Sequence, residues 1–146
     1  MENNKLPLAA SLPPVMALAY LGDARHALYV REMLVRRGIV KPKELNRAAL
    51  GYITAEAQAR MYARIEGMLT DEERSTAHRA ANSGHLNRPK HASPKEYMMA
   101  TGFESVVGML HYLGEERRLT EILDTAHSID ITAAGCAEGD RNDTEN

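Results

Sequence analysis

Every patterned stretch of this 146-residue chain repeats its apolar residues at helical spacing, and none alternates convincingly as a strand would. Residues 15–37 are the clearest case. Pro13 and Pro14 suit a helix start, where missing N–H donors cost nothing, and Arg36-Arg37-Gly38 suits a helix end. Beyond Lys41-Pro42, residues 43–68 place Leu45, Ala49, Tyr52, Ile53, Ala57, Met61, Ile65 and Met68 on one face. Gly51 is the predicted break, because glycine inside a helix costs about 1 kcal/mol relative to alanine. Thr70-Asp71-Glu72-Glu73 has the form of a capping box and opens a helix toward Ala81. Residues 82–93 read as a loop rich in Asn, Ser, Gly and Pro. Ser93-Pro94-Lys95-Glu96 then starts a helix that reaches Leu113 and stops at Gly114, and a last helix spans about 116–128. The expected fold class is all-α.

Composition narrows this further. Aromatic residues make up 5% of the chain, with no Trp and eight Met, so an aliphatic core is expected. The single cysteine, Cys136, excludes an intramolecular disulfide and argues against a thiolate zinc site, which fits a reducing cytoplasm. The uncharged stretch 6–21 contains Ala17-Leu18-Ala19, which mimics a secretory cleavage site. Pro7, Pro13 and Pro14 break it, and cleavage would remove much of a helix whose pattern continues to Val35. No run reaches the roughly 18 apolar residues of a membrane span, so a soluble protein is expected. Residues 130–146 carry a local charge of −4 against −2 for the whole chain, and are expected to form a disordered acidic tail. By contrast, residues 78–95 hold Arg79, Arg88, Lys90 and Lys95 with His78, His85 and His91 and no acid. Such a run is either a solvated loop or a seat for an anionic partner.

Two stretches break the apolar pattern in the same way. In Leu18-Ala19-Tyr20-Leu21-Gly22-Asp23-Ala24, and again in Ala100-Thr101-Gly102-Phe103-Glu104-Ser105, a lone carboxylate beside a glycine interrupts an apolar helix. Burying an unpaired carboxylate costs several kcal/mol, so each acid needs protonation, a cationic partner or a metal, unless it simply faces solvent. No Lys or Arg lies within one turn on the same face of either. If Gly22, Gly102 and Gly108 let two helices approach closely, Asp23 and Glu104 can share a divalent ion. Hard oxygen donors without His or Cys point to Mg²⁺ or Mn²⁺, which keep several waters and engage phosphate oxygens.

These stretches, with ALYVRE at 27–32, KPKEL at 41–45, TAEAQA at 54–59, LTDEE at 69–73 and EYMMATGFESVVGMLHYLG at 96–114, resemble the mini-ribonuclease III family. Its members are compact relatives of ribonuclease III that lack a separate double-stranded RNA binding domain. The resemblance implies a ribonuclease III endonuclease-domain helical bundle over residues 1–129, working in the cytoplasm as a homodimer that cuts double-stranded RNA. It also implies Mg²⁺ at Asp23 and Glu104, which match the acids of the family's LGDA and ATGFE motifs. Full-length ribonuclease III has further carboxylates where this chain has Ala19 and Thr101, so a leaner metal site is expected. The implied substrate is the precursor of large-subunit (23S) ribosomal RNA, cut to leave 5′ phosphate and 3′ hydroxyl ends.

Phosphates would be held by the basic run through Arg79, Asn82, Arg88 and Lys90. One departure stands out: the family's Arg-Gly-Arg-Asn-like element reads Arg79-Ala80-Ala81-Asn82, without its second arginine. That departure leaves open an alternative of a different class, a double-stranded RNA binding protein of the same fold that has lost cutting. Tyr20 is expected in core or dimer packing, and His26 and His111 as hydrogen-bonded packing residues.

Overall fold

The computed structural model describes residues 12–83 and 92–128. The acidic tail from 130, and most of the predicted basic loop, lie outside them. Six α-helices appear among the described residues: α1 (Val15–Arg36), α2 (Pro42–Ile53), α3 (Ala55–Ile65), α4 (Asp71–Ser83), α5 (Pro94–Tyr112) and α6 (Glu116–Ala126). A single 3-10 turn, Glu66–Met68, follows α3. The all-α expectation holds.

The predicted punctuation is mostly where the residues place it. At the start of α4 the capping box is complete: Glu73 N donates to Thr70 Oγ1 at 3.2 Å, and Thr70 N donates to the Glu73 carboxylate at 3.0 Å. Ser93 accepts from Glu96 N at 3.1 Å and caps α5. Gly38 and Gly114 take positive φ, 91° and 70°, and end α1 and α5 as only glycine does without strain. One boundary differs. The break in segment 43–68 falls at Thr54 rather than Gly51, because extended Thr54 accepts from Ala57 N and caps α3, whereas Gly51 continues α2.

α5 is the central element, packed by α1, α3, α4 and α6. It is buried almost all round, which is why its sequence lacks a clean amphipathic stripe. Phe103, Val106, Val107 and Leu110 meet Met61 and Ile65 of α3 and Leu119, Ile122 and Leu123 of α6 in the main core. A smaller cluster joins Val30 and Leu34 of α1 to Ala49 of α2. Between Ala100 and Leu110, Glu104 alone is not buried.

α6 is tied to α4 by an ion pair. Arg118 Nη2 and Nε donate to the two oxygens of buried Glu73 at 2.7 and 3.1 Å, and Nη2 also reaches the Met68 carbonyl at 2.7 Å. Burial by itself would push the Glu73 carboxyl up, but the Arg118 and Thr70 hydrogen bonds outweigh it and hold it below the usual range.

One expectation is narrowed and one is corrected. Tyr20 is 84% exposed, so it takes no part in the core of the single chain. Gly102 does not serve the α1–α5 approach; it faces Ala77 of α4 and Tyr62 of α3. Among the described residues no helix is long and apolar enough to cross a membrane.

Candidate active site

The approach of α1 to α5 is set by two glycines. A Cβ on Gly22 would collide with the backbone carbonyl of Glu104, and one on Gly108 with the carbonyl of Leu18. Backbone therefore lies directly on backbone, and the residue after Gly22 is brought beside the turn of α5 that carries Glu104. Asp23 and Glu104 line one cavity of about 420 Å³, together with Ala19, Gln58, Tyr97 and Thr101. This is the convergence that the two interrupted helices suggested.

The two acids differ in setting. Asp23 is exposed, contrary to its reading as part of a buried run: Gly22 occupies the packed face, and the next residue is rotated about 100° toward solvent. Glu104 is half-buried, and its carboxyl is pushed up to about 8, first by burial and then by the charge of Asp23, while a hydrogen bond from Gln58 works in the opposite direction. Among the described residues no Lys or Arg pairs with either acid. A neighbouring carboxylate in a partly dry cavity is unfavourable unless a cation shares it.

The donor set fits a hard divalent ion. Two carboxylates face the same space, and Ala19 and Thr101 line it without adding a charge. Among the described residues no group of three or more His, Cys, Asp or Glu side chains is placed to hold a metal. Such a lean protein contribution suits an ion that retains water and takes its remaining ligands from a phosphate.

Sequence reasoning missed Gln58. It is 1% exposed on α3, and its Nε2 lies 3.3 Å from Nδ1 of His26. The readable signal is its place three residues before Met61 and seven before Ile65, a polar side chain on an apolar helical face. His26 is a buried packing histidine, as expected, and stands 3.0 Å from His127 through the two Nε2 atoms. Of the basic residues, Arg79 and Asn82 are exposed on α4 and do not line the cavity. Arg88 and Lys90 lie outside the described residues.

Comparison with known proteins places the fold and the sequence in a family. The family described as Ribonuclease III domain matches residues 16–115. A mini-ribonuclease 3 of Symbiobacterium thermophilum is 43% identical over 80% of this chain and 88% of its own length. That of Brevibacillus brevis is 35% identical over 88% and 96%, and that of Enterococcus faecalis 42% over 75% and 84%. A crystal structure of a protein from Fusobacterium nucleatum superposes with a TM-score of 0.72 at 26% identity, covering 80% of this chain and 93% of that one. Helical fold, motif order and sequence identity agree, and the chain belongs to the ribonuclease III domain family, within its mini-ribonuclease III branch.

Proposed function

We propose that this protein is a divalent-cation-dependent endoribonuclease that cuts double-stranded RNA, and that it does so as a homodimer. The observation that carries the reading is the meeting of Asp23 and Glu104 in one cavity across a crossing made possible by Gly22 and Gly108. Asp23 and Glu104 would hold Mg²⁺, or Mn²⁺ in its place; bound there, such an ion supplies Lewis acidity at a phosphodiester oxygen and lowers the pKa of water. The chain's own part is positional. Buried α5 fixes Glu104, exposed Asp23 stands where a backbone phosphate can reach it, and among the described residues no Lys or Arg pairs with either acid.

Phosphates flanking the cut are assigned to Arg79 and Asn82 of α4, with Arg88 and Lys90 of the following segment. A-form RNA offers phosphates and 2′-hydroxyls across its minor groove, so shape and charge rather than base sequence would dominate recognition. Each Lys or Arg that neutralises a phosphate should add roughly one unit to the salt dependence of binding. By family resemblance the substrate is precursor 23S ribosomal RNA. A homodimer is supported by exposed apolar residues on the first two helices, Tyr20, Leu28, Val35 and Leu50.

The test is cleavage of a short RNA duplex and of a ribosomal precursor, with Mg²⁺ and with EDTA. Asp23→Asn should keep its helical content while cleavage falls by at least 1000-fold. Cutting by Asp23→Asn at the parent rate, or undiminished cutting in EDTA, would sink the metal reading. A gel shift by the parent protein with no fragments would favour the RNA-binding alternative.

A further inference from the structure

We propose that Gln58 is a positioning residue for Glu104, held in place by a buried hydrogen-bond chain through His26 to His127 beyond the end of α6. This rests on the role assigned above to Glu104.

The chain joins three helices and the residue just past α6. Gln58 of α3 lines the same cavity as Glu104 of α5, where its amide favours the charged carboxylate, and its Nε2 lies 3.3 Å from Nδ1 of His26 on α1. Nε2 of His26 meets Nε2 of His127 at 3.0 Å. Gln58 is 1% exposed, and both histidines are fully buried. His26 stands edge-on to Phe103, with ring centroids 5.0 Å apart and planes at 88°, so the neighbour of Glu104 on α5 also fixes the ring.

Proton accounting gives the chain a direction. With Glu104 ionised, as cation binding would require, its carboxylate only accepts, so Gln58 turns its NH₂ toward it. The same nitrogen faces His26, and its second N–H is donated to Nδ1, which must therefore be bare. Burial, and then the proximity of His127, hold His26 neutral, so its one proton sits on Nε2 and is donated to Nε2 of His127. The assignment is consistent at every link.

An amide is the donor this place requires. A Lys would neutralise the charge that attracts the cation, and a Glu would add a third negative charge to the cavity. Gln58 donates without doing either, engaging the Glu104 carboxylate while leaving its charge available. Outer partners of this kind typically change metal affinity or activity by 10–100-fold when removed.

The experiment uses the full chain and three measurements. In the metal-free protein above about pH 9, where the Glu104 carboxyl is ionised, ¹⁵N NMR of the imidazoles should show His26 as the neutral Nε2–H tautomer; a proton on Nδ1 there would reverse the chain and overturn the proposal, whether or not any variant folds. Gln58→Met, close in shape, should weaken Mn²⁺ binding roughly tenfold by calorimetry and lower kcat on a short RNA duplex about 10–100-fold with KM unchanged. Parent-like affinity and kcat, or a change confined to KM, would overturn it. Asp23→Asn runs in parallel. Loss of cutting in Asp23→Asn with parent-like Gln58→Met removes the positioning role alone, whereas parent-like cutting by both removes the carboxylate site on which it rests.

Discussion

Gly22 carries more of the architecture than any charged residue, because it decides how near α1 comes to Glu104. Gly22→Ala or Gly108→Ala forces backbone apart and should destabilise the protein by about 3 kcal/mol. That corresponds to roughly 6–12 °C in Tm for a chain of this size, readable by calorimetry. Gly51→Ala is the matched control: nothing lies within 4 Å of a Cβ there, and alanine should stabilise α2 by about 0.5–1 kcal/mol. A second contrast concerns Glu104. In the metal-free protein its folded carboxyl titrates near 8 against 4.5 unfolded, so the folded state binds the extra proton between these values and loses stability as pH rises through them. Glu104→Gln should therefore raise Tm most at pH 8 and above while abolishing cleavage; an unchanged or lower Tm there would contradict the burial and repulsion assigned to it. Both acids were legible in the sequence because a charge beside a glycine is anomalous in an apolar helix. The exposure of Asp23 was not, since only the crossing at Gly22 shows which way the next residue turns. Gln58 escaped because an uncharged amide on an apolar face resembles ordinary tolerance until its partners are placed around it.

At the scale of elements, caps and glycines made four of the helix boundaries readable, and Thr54 shows where that reading failed. A glycine is a weak reason for a helix to stop, whereas a threonine that accepts the N–H three residues on is a positive reason for one to begin. Thr54→Ala should cost about 1 kcal/mol, measured by urea unfolding, and would leave the junction of α2 and α3 to the weaker preference at Gly51. The tie between α6 and α4 was invisible, because Arg118 and Glu73 lie far apart in sequence and each looks like a solvated charge. Buried Glu73 has few other partners, so Arg118→Leu leaves a desolvated carboxylate and should destabilise by about 3 kcal/mol, with Glu73→Leu/Arg118→Leu recovering part of the loss. The Arg118 contribution is present above the ordinary carboxylate pKa and disappears as pH falls through the lowered folded value of Glu73.

The whole molecule reports its buried histidines and its apolar face in different ways. His26 is held neutral down to about 3 against 6.5 in the unfolded chain, by burial and then by His127. Its share of stability is complete above pH 6.5 and declines as pH falls toward 3, because the unfolded chain takes up the proton first. Glu104 acts in the opposite direction over part of that range, so the slope is cleanest in a Glu104→Gln background, where the urea midpoint should fall between pH 6.5 and 4.5. Assembly is the other property of the whole. Val35 and Leu50 are more than half exposed and flank an apolar groove of about 420 Å³ between α1 and α2, while Tyr20 and Ile53 border the cavity of Asp23 and Glu104. A two-fold interface on this face would use every residue twice, so one charge introduces two, and opposed like charges in an apolar contact are strongly unfavourable. Val35→Glu lies on an exposed helical position and should change monomer stability by no more than about 0.5 kcal/mol. Sedimentation equilibrium should then give twice the chain mass for the parent and the single-chain mass for Val35→Glu, with coordinated cutting of both strands of a duplex lost in the variant. A parent that sediments as one chain, or a Val35→Glu protein that stays paired, would remove this face from the assembly while leaving the carboxylate cavity of each chain as it is.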